Sequence, residues 1–343
     1  IADLKDILAN HDRVLEIIST ELDEIQRKYG DERRTELLVG EVLSLEDEDL
    51  IEEEDIVITL THNGYIKRLP STEFRTQNRG GRGVQGMGVH DDDFVENLVS
   101  CSTHDSLLFF TDTGKVYKAK GYEIPEYGRT AKGIPVINLL GIDSSENIEA
   151  IISIEGKAEE DQYLFFSTRL GTVKKTAVTE FSNIRTNGLK AIGLKEDDQL
   201  INVTLTDGHQ NIIIGTHQGY SVTFNEENVR SMGRSAAGVR GIKLRGDDYV
   251  VGMDGKRTGA TEYAIKGRGG KGIKTVNITD KNGNLAGLTT VTGEEDIMLI
   301  TNKGVIIRFD IESVSQTGRA TQGVRLIRLE EDAIVSTMAK VAK

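Results

Sequence analysis

One spacing limits what this 343-residue chain can fold into. A glycine sits in a short turn between two apolar runs, and a second glycine follows 19, 19, 17, 19, 17 or 19 residues later. The pairs are Gly64 and Gly83, Gly114 and Gly133, Gly171 and Gly188, Gly219 and Gly238, Gly255 and Gly272, and Gly304 and Gly323. The text around the first member of each pair recurs: IVITLTHNGYIKRL, SLLFFTDTGKVYKA, YLFFSTRLGTVKKT, NIIIGTHQGYSVTF and DIMLITNKGVIIRF, with a partial copy, GKRT, from Gly255. Strand-forming residues on both sides of a tight turn are the mark of a hairpin. Six copies in one register mean one supersecondary unit repeated along the chain.

A hairpin-rich unit of roughly 50 residues cannot bury both faces of its own small sheet. A ring of such units buries each face against a neighbour and leaves only short edges. The expected architecture is therefore all-β, a six-bladed propeller-like disc. The fifth copy is irregular. From loop glycine to the next hairpin glycine the distances are 31, 38, 31, 17 and 32 residues, the short one running from Gly238 to Gly255. A strand and its lead-in are expected to be missing there, with a break in the chain between Asp254 and Gly255.

The first residues follow a different period. Leu15, Ile18, Leu22, Ile25 and Tyr29 form one helical seam, and Ile1, Leu4 and Leu8 form another before it. Asn10-His11-Asp12 separates them with N-cap residue types. A seam of this kind packs on a neighbouring helix or on its own domain. The acidic run GEVLSLEDEDLIEEED, Gly40 to Asp55, then reads as a solvated linker.

Charge is unevenly spread. The chain carries a net −13, and its first 55 residues, with 19 acids against 6 Lys and Arg, account for all of it. A neutral body can still carry a basic stripe, so acidity does not exclude a nucleic-acid partner. The only cysteine, Cys101, allows no intrachain disulfide and fits a reducing cytosol. No apolar run is long enough to span a membrane.

The second glycine of each pair closes a basic loop: QNRGGRG, YGRTAKG, NIRTNG, GRSAAG, GRGGKG and GRATQG. These loops hold Gln77, Asn78, Arg79, Gly80, Gly81, Arg82 and Gly83, then Arg129 and Lys132, Arg185, Arg234, Lys266, Arg268 and Lys271, and Arg319, with Lys190 just after the third. The hairpins add Lys67, Arg68, Lys115, Lys118, Lys174, Lys175 and Arg308. An arginine fork suits phosphate, and glycine lets main chain approach a ligand. One such loop is commonly a solubilising tip, whereas six in register form a belt. A belt suits a long bent polyanion, bound through phosphates with little sequence preference. GRGVQG, from Gly81, and GRGGKG, from Gly267, match a dinucleotide fingerprint in spacing, but no helix follows either. No catalytic constellation and no metal-ligand spacing is found.

These residues resemble a known family. QNRGGRG is similar to QRRGGKG, the signature heptapeptide of the C-terminal domain of the DNA gyrase A subunit, with Asn78 and Arg82 in place of Arg and Lys. IKRLPSTEFRTQNRGGRGVQGMG, GRGGKGIKT, TGRATQGVRLIRL and the opening IADLKDILAN resemble it too. The resemblance implies a six-bladed β-pinwheel, in which strands are exchanged between blades, preceded by a short α-helical segment. It implies that residues 1–35 end a coiled-coil arm, that 36–55 form an acidic linker, and that 56–343 form a DNA-wrapping domain. The implied partners are double-stranded DNA, the gyrase B subunit, and a second copy of the A subunit, in an A2B2 holoenzyme. ATP and Mg2+ would act through the B subunit, and this chain would hold no cofactor and no catalytic residue of that topoisomerase. The setting implied is cytoplasmic. Two alternatives are a propeller that serves as a protein-interaction scaffold and the A-type subunit of topoisomerase IV.

Overall fold

The computed structural model of the chain describes residues 1–30, 47–74, 76, 83–85, 88, 93–156, 161–251, 259–279, 289–318, 321, 326–327 and 333–342. The chain divides into two compact units, Ile1–Asp47 and Glu48–Lys343. In the first unit, helix α1 (Ala2–Ala9) and helix α2 (His11–Tyr29) meet at Asn10. The Asn10 side chain accepts a hydrogen bond from the Asp12 N–H at 3.2 Å and caps α2. The seam of α2 stays exposed within this chain, from Leu15 to Tyr29. None of the described helices is long and apolar enough to cross a membrane.

The second unit is built from hairpins at the expected places. Asp55–Thr61 pairs antiparallel with Tyr65–Pro70, so that Leu60 faces Ile66 across the turn at Gly64. The hairpin glycines Gly64, Gly114, Gly171, Gly219 and Gly304 all take φ between 74° and 81°, which a side chain resists. A third strand returns beside the first, at one edge of each described sheet: Val95–Ser102, Ile148–Ile154, Leu200–Thr206, Val250–Val251 and Val335–Ala342.

The fourth strand of every sheet comes from another repeat. Ile134–Pro135 of the second repeat joins the hairpin of the first. In the same way Leu189–Lys190, Val239–Arg240 and Ile273–Lys274 each join the hairpin of an earlier repeat. Val84–Gln85, from the first repeat, pairs with Val305–Asp310 of the last, so the ring closes on itself. Return strands of the first and last sheets, Val95–Ser102 and Val335–Ala342, are in contact at the same seam.

Side chains alternate between two interfaces, and both are buried. Ile56, Ile58 and Leu60 pack with Leu107, Phe109 and Tyr117 of the second sheet. Val57 and Leu69 pack with Met298, Ile300 and Ile306 of the last sheet. Burial on both faces explains why IVITL is apolar at every position but Thr59, itself buried, and does not alternate with polar residues.

The expected count of six blades is corrected. Among the described residues there are five four-stranded sheets. The fifth repeat is present in part: a 3-10 turn at Ala260–Glu262, the loop glycine Gly272, and the strand Ile273–Lys274 that it gives to the fourth sheet. Corresponding 3-10 turns follow the second hairpin strand in the other five repeats, as at Ser71–Glu73 and Ile311–Ser313. The expected break between Asp254 and Gly255 lies outside the described residues.

The acidic segment from Glu48 onward belongs to the second unit and is hydrogen-bonded within it. Lys120 Nζ donates to Glu48 Oε1 at 2.6 Å, Ser102 Oγ to Glu53 at 3.0 Å, and Thr103 Oγ1 to the Glu52 carbonyl at 2.9 Å. Hydrogen bonds to this segment occupy the turn between Ser102 and His104: Glu48 and Glu53 accept through their carboxylates and Glu52 through its main chain, while residues 52–55 remain exposed.

One carboxylate among the return strands is poised to titrate. Burial, and after it the like charges of Glu96 and Asp112, push the Glu149 carboxyl up to about 7, against a smaller opposing effect of Arg169. The folded form then holds a proton that the unfolded form, near the ordinary 4.5, has released. This contribution to stability is full below that unfolded value and is lost as the pH rises through about 7. Glu149→Gln is therefore expected to raise the melting temperature at about pH 8, by about 2–4 °C per kcal/mol gained. It should also flatten the pH profile of unfolding between the two values. An unchanged profile in thermal unfolding scans would count against it.

Candidate nucleic-acid interface

In the first four repeats the basic loop links two sheets. It leaves the second hairpin strand of its own repeat through the 3-10 turn, and its closing glycine leads into the strand donated to another repeat's sheet. The glycine is required by contact as well as by φ. A Cβ on Gly133, at φ +82°, would stand 2.2 Å from the Ile66 carbonyl oxygen. On Gly238 it would stand 2.3 Å from the Val173 oxygen, on Gly83 2.5 Å from that of Ile306, and on Gly188 2.7 Å from the Tyr117 ring. These glycines fit one repeat against another. Approach to a ligand is not needed to explain them.

Within the loops a shared turn presents arginine. The Ala131 N–H donates to the Gly128 carbonyl, Ala236 to Gly233, and Thr321 to Gly318, at 3.0, 3.1 and 3.4 Å. The residue after the first glycine of each turn is Arg129, Arg234 and Arg319. Arg129 is exposed, and Arg234 is half-buried with its Nε 3.6 Å from Glu180. Arg185, Lys190, Lys266, Arg268, Lys271 and Lys118 are exposed, and Lys132 is half-buried. The Arg268 guanidinium is held by the carbonyls of Asn228 and Arg240 at 3.0 and 3.2 Å. Gln77, Asn78, Arg79, Gly80, Gly81, Arg82 and Arg319 lie outside the described residues, whereas Gly83 is described, at φ +73°.

The hairpin bases divide by strand alternation. Lys67 and Lys174 occupy the third place of the second strand and are 0% exposed. The Lys67 ammonium donates to three carbonyls, Gly128, Arg129 and Ala131, at 3.1, 2.7 and 2.8 Å. Burial lowers its pKa to about 8. Lys174 donates to the Ala191 and Arg234 carbonyls at 2.6 and 2.5 Å. Burial, then Arg234, lower its pKa to about 8 as well, against an upward effect of Glu180. Sequence reading places both on the basic rim. The structure puts them under it, with their charge facing main chain.

In four repeats the fourth place holds a base, Arg68, Lys118, Lys175 or Arg308, of which only Lys118 is exposed. Arg308 Nε is 2.7 Å from Asp296 Oδ2. Lys175 lies 3.9 Å from Glu226, and Arg68 3.9 Å from Glu126. Lys115, at the start of its strand, is paired with Glu146. That hydrogen bond, outweighing a small burial cost, raises the Lys115 pKa.

The structure puts Lys190 at the same strand position as two bases that the loop reading passes over, Arg240 and Lys274. The second residue of the donated strand is Lys190, Arg240 and Lys274 in three of the sheets, and all three are exposed. Arg230, Lys243 and Arg245 are exposed nearby in sequence. The Arg245 guanidinium lies 3.9 Å over the Tyr220 ring and Arg169 4.1 Å over Tyr249. The pattern glycine, any residue, Lys or Arg was the available signal for Arg240 and Lys274.

A family model described as the DNA gyrase C-terminal domain, beta-propeller, matches residues 55–102, 105–154, 162–207, 210–254, 255–292 and 295–342. The DNA gyrase A subunit of Staphylococcus epidermidis (strain ATCC 12228 / FDA PCI 1200) is 52% identical over 359 residues, which cover 99% of this chain and 40% of that protein. The same protein of Staphylococcus aureus (strain COL) has the same identity and coverage. The chain thus spans about two fifths of the length of these relatives. A solved DNA gyrase A C-terminal domain superposes with a TM-score of 0.75 at 25% identity, over 84% of this chain and 99% of that one. The C-terminal domain of a DNA topoisomerase IV superposes with a TM-score of 0.61 at 27% identity, over 85% and 94%.

Proposed function

The chain belongs to the DNA gyrase C-terminal domain family, and from that premise we propose that it binds duplex DNA along its basic rim, bends it and wraps it. The observation that carries this reading is the recurrence of exposed bases at equivalent places around a closed ring: Arg129, Arg185 and Arg268 in the loops, and Lys190, Arg240 and Lys274 on the donated strands. Bending a site of 20–30 base pairs by 40–90° costs about 1–6 kcal/mol, and a wrap costs more. Many phosphate contacts spread over a curved edge can offset that cost, and base edges need not be read.

In the assembled A2B2 enzyme, a cytoplasmic type II topoisomerase, this domain would direct the wrapped segment back to the cleavage gate with one handedness. Strand passage then becomes directional negative supercoiling. ATP hydrolysis and the Mg2+ chemistry would belong to the cleavage core and the B subunit, with no catalytic residue supplied here. A topoisomerase IV domain is the second reading. The near-intact QNRGGRG and the better superposition on the gyrase domain favour the first.

The test is duplex binding titrated with salt. Each neutralised phosphate contributes about −0.9 to the slope of log K against log salt. Six or more rim contacts predict a slope of about −5 or steeper, and an affinity that grows with duplex length until the rim is filled. A flat slope would favour a protein-interaction scaffold.

A further inference from the structure

We propose that Lys67 and Lys174 are positioning residues for the DNA-binding loops of other repeats, setting where Arg129 and Arg234 stand without touching DNA themselves. This rests on the DNA-binding reading above. Placing an ammonium in a fully buried site is unfavourable unless its donors are all used. The equivalent places, third in the second hairpin strand, are filled in other repeats by Tyr117, Val222 and Ile307, all buried. Packing alone is thus served by an apolar residue, and lysine at this place must do something that valine and isoleucine do not.

What it does is visible at the loop. Gly128–Ala131 is a turn closed by one main-chain hydrogen bond. Its carbonyls at Gly128, Arg129 and Ala131 converge on the three donors of Lys67. An ammonium has three donors, so none is left over. The turn is held from beneath, and Arg129 at its corner remains exposed. In the fourth repeat Lys174 takes the Arg234 carbonyl in the corresponding turn and the Ala191 carbonyl of the third repeat. One lysine therefore ties the turn at Arg234 to the segment that follows the donated strand Leu189–Lys190. A loop pinned in this way loses less conformational freedom when it meets a phosphate, which is the advantage of preorganisation.

The experiment compares the wild-type chain with Lys67→Met, Arg129→Ala and the double variant. Amide hydrogen exchange reports residues 128–133, and salt-titrated binding uses a duplex long enough to fill the rim. Lys67→Met should fold, because isoleucine is accepted at the same place, and thermal unfolding checks this. The expected result is faster exchange in the loop, several-fold weaker binding, and a salt slope shallower by about 1. In the Lys67→Met background, Arg129→Ala should cost little more. An equal cost of Arg129→Ala in both backgrounds would overturn the proposal while leaving DNA binding intact. Unchanged exchange in the loop would overturn it too. A wild-type chain with no salt slope would instead sink the DNA reading. Lys174→Met with Arg234→Ala repeats the test at an independent site, and there too equal costs would overturn the proposal.

Discussion

Alanine at both Arg79 and Arg82 is expected to abolish supercoiling by the assembled enzyme while ATP-dependent relaxation and decatenation persist. Physical support comes from where the described ends of this loop are fixed. Before it, Thr76 Oγ1 donates to Asp296 Oδ2 at 3.1 Å, the same oxygen that Arg308 Nε reaches at 2.7 Å. After it, Val84 and Gln85 pair with Ile306 and Val305. The two ends of this loop are thus mounted across the seam between the first and last repeats. That is a suitable place to anchor one end of a wrap. The charges there would set the direction of the DNA and take no part in cutting it. Supercoiling and decatenation assays on the same preparation decide the matter. Equal loss of both activities would contradict this division of labour.

The second large effect is on stability. Gly133→Ala and Gly238→Ala are each expected to destabilise the domain by about 3–5 kcal/mol, adding positive-φ strain to a clash. The atoms in the way are main-chain oxygens of Ile66 and Val173, at 2.2 and 2.3 Å from the added carbon. They can retreat only if the donated strands Ile134–Pro135 and Val239–Arg240 lose their pairing. Gly128→Ala and Gly233→Ala are the controls. They lie in the same two loops, yet a Cβ at either meets nothing within 4 Å. Denaturant midpoints of the four variants should separate into two pairs. Four similar midpoints would show that the loop glycines do not lock the repeats together.

These glycines also show what the sequence could and could not tell. Their spacing disclosed the repeat, because the described copies need positive φ at the hairpin turn and again where the loop enters the donated strand. Their reason was not legible, because the clashing carbonyl belongs to a different repeat. Lys67-Arg68 and Lys174-Lys175 were ambiguous for a related cause. Neighbours on a strand face opposite ways, but a sheet packed on both sides offers no polar face to show which is outside. Lys67 and Lys174 went inward onto loop carbonyls, and Arg68 and Lys175 found carboxylates. Arg240 and Lys274 were legible too, but they stand two places beyond a closing glycine and so fall outside the loops themselves. The blade count rested on six glycine pairs, and the fifth pair belongs to the repeat with the short spacing before it. The alignment to the Staphylococcus epidermidis protein is longer than this chain, 359 positions against 343 residues. Residues that relatives carry are therefore absent here, in keeping with the 17-residue interval from Gly238 to Gly255.

Wrapping of duplex DNA by a closed ring with bases at repeated places is tested most directly by topology. A relaxed circular plasmid is incubated with increasing amounts of the chain, nicked and resealed by a topoisomerase that needs no ATP, and stripped of protein before its linking number is read. The expected result is a shift of one sign that grows with bound protein and disappears at high salt, where phosphate contacts are lost. Tight binding with an unchanged linking-number distribution would contradict wrapping, because DNA held against the rim without a wrap leaves no topological trace.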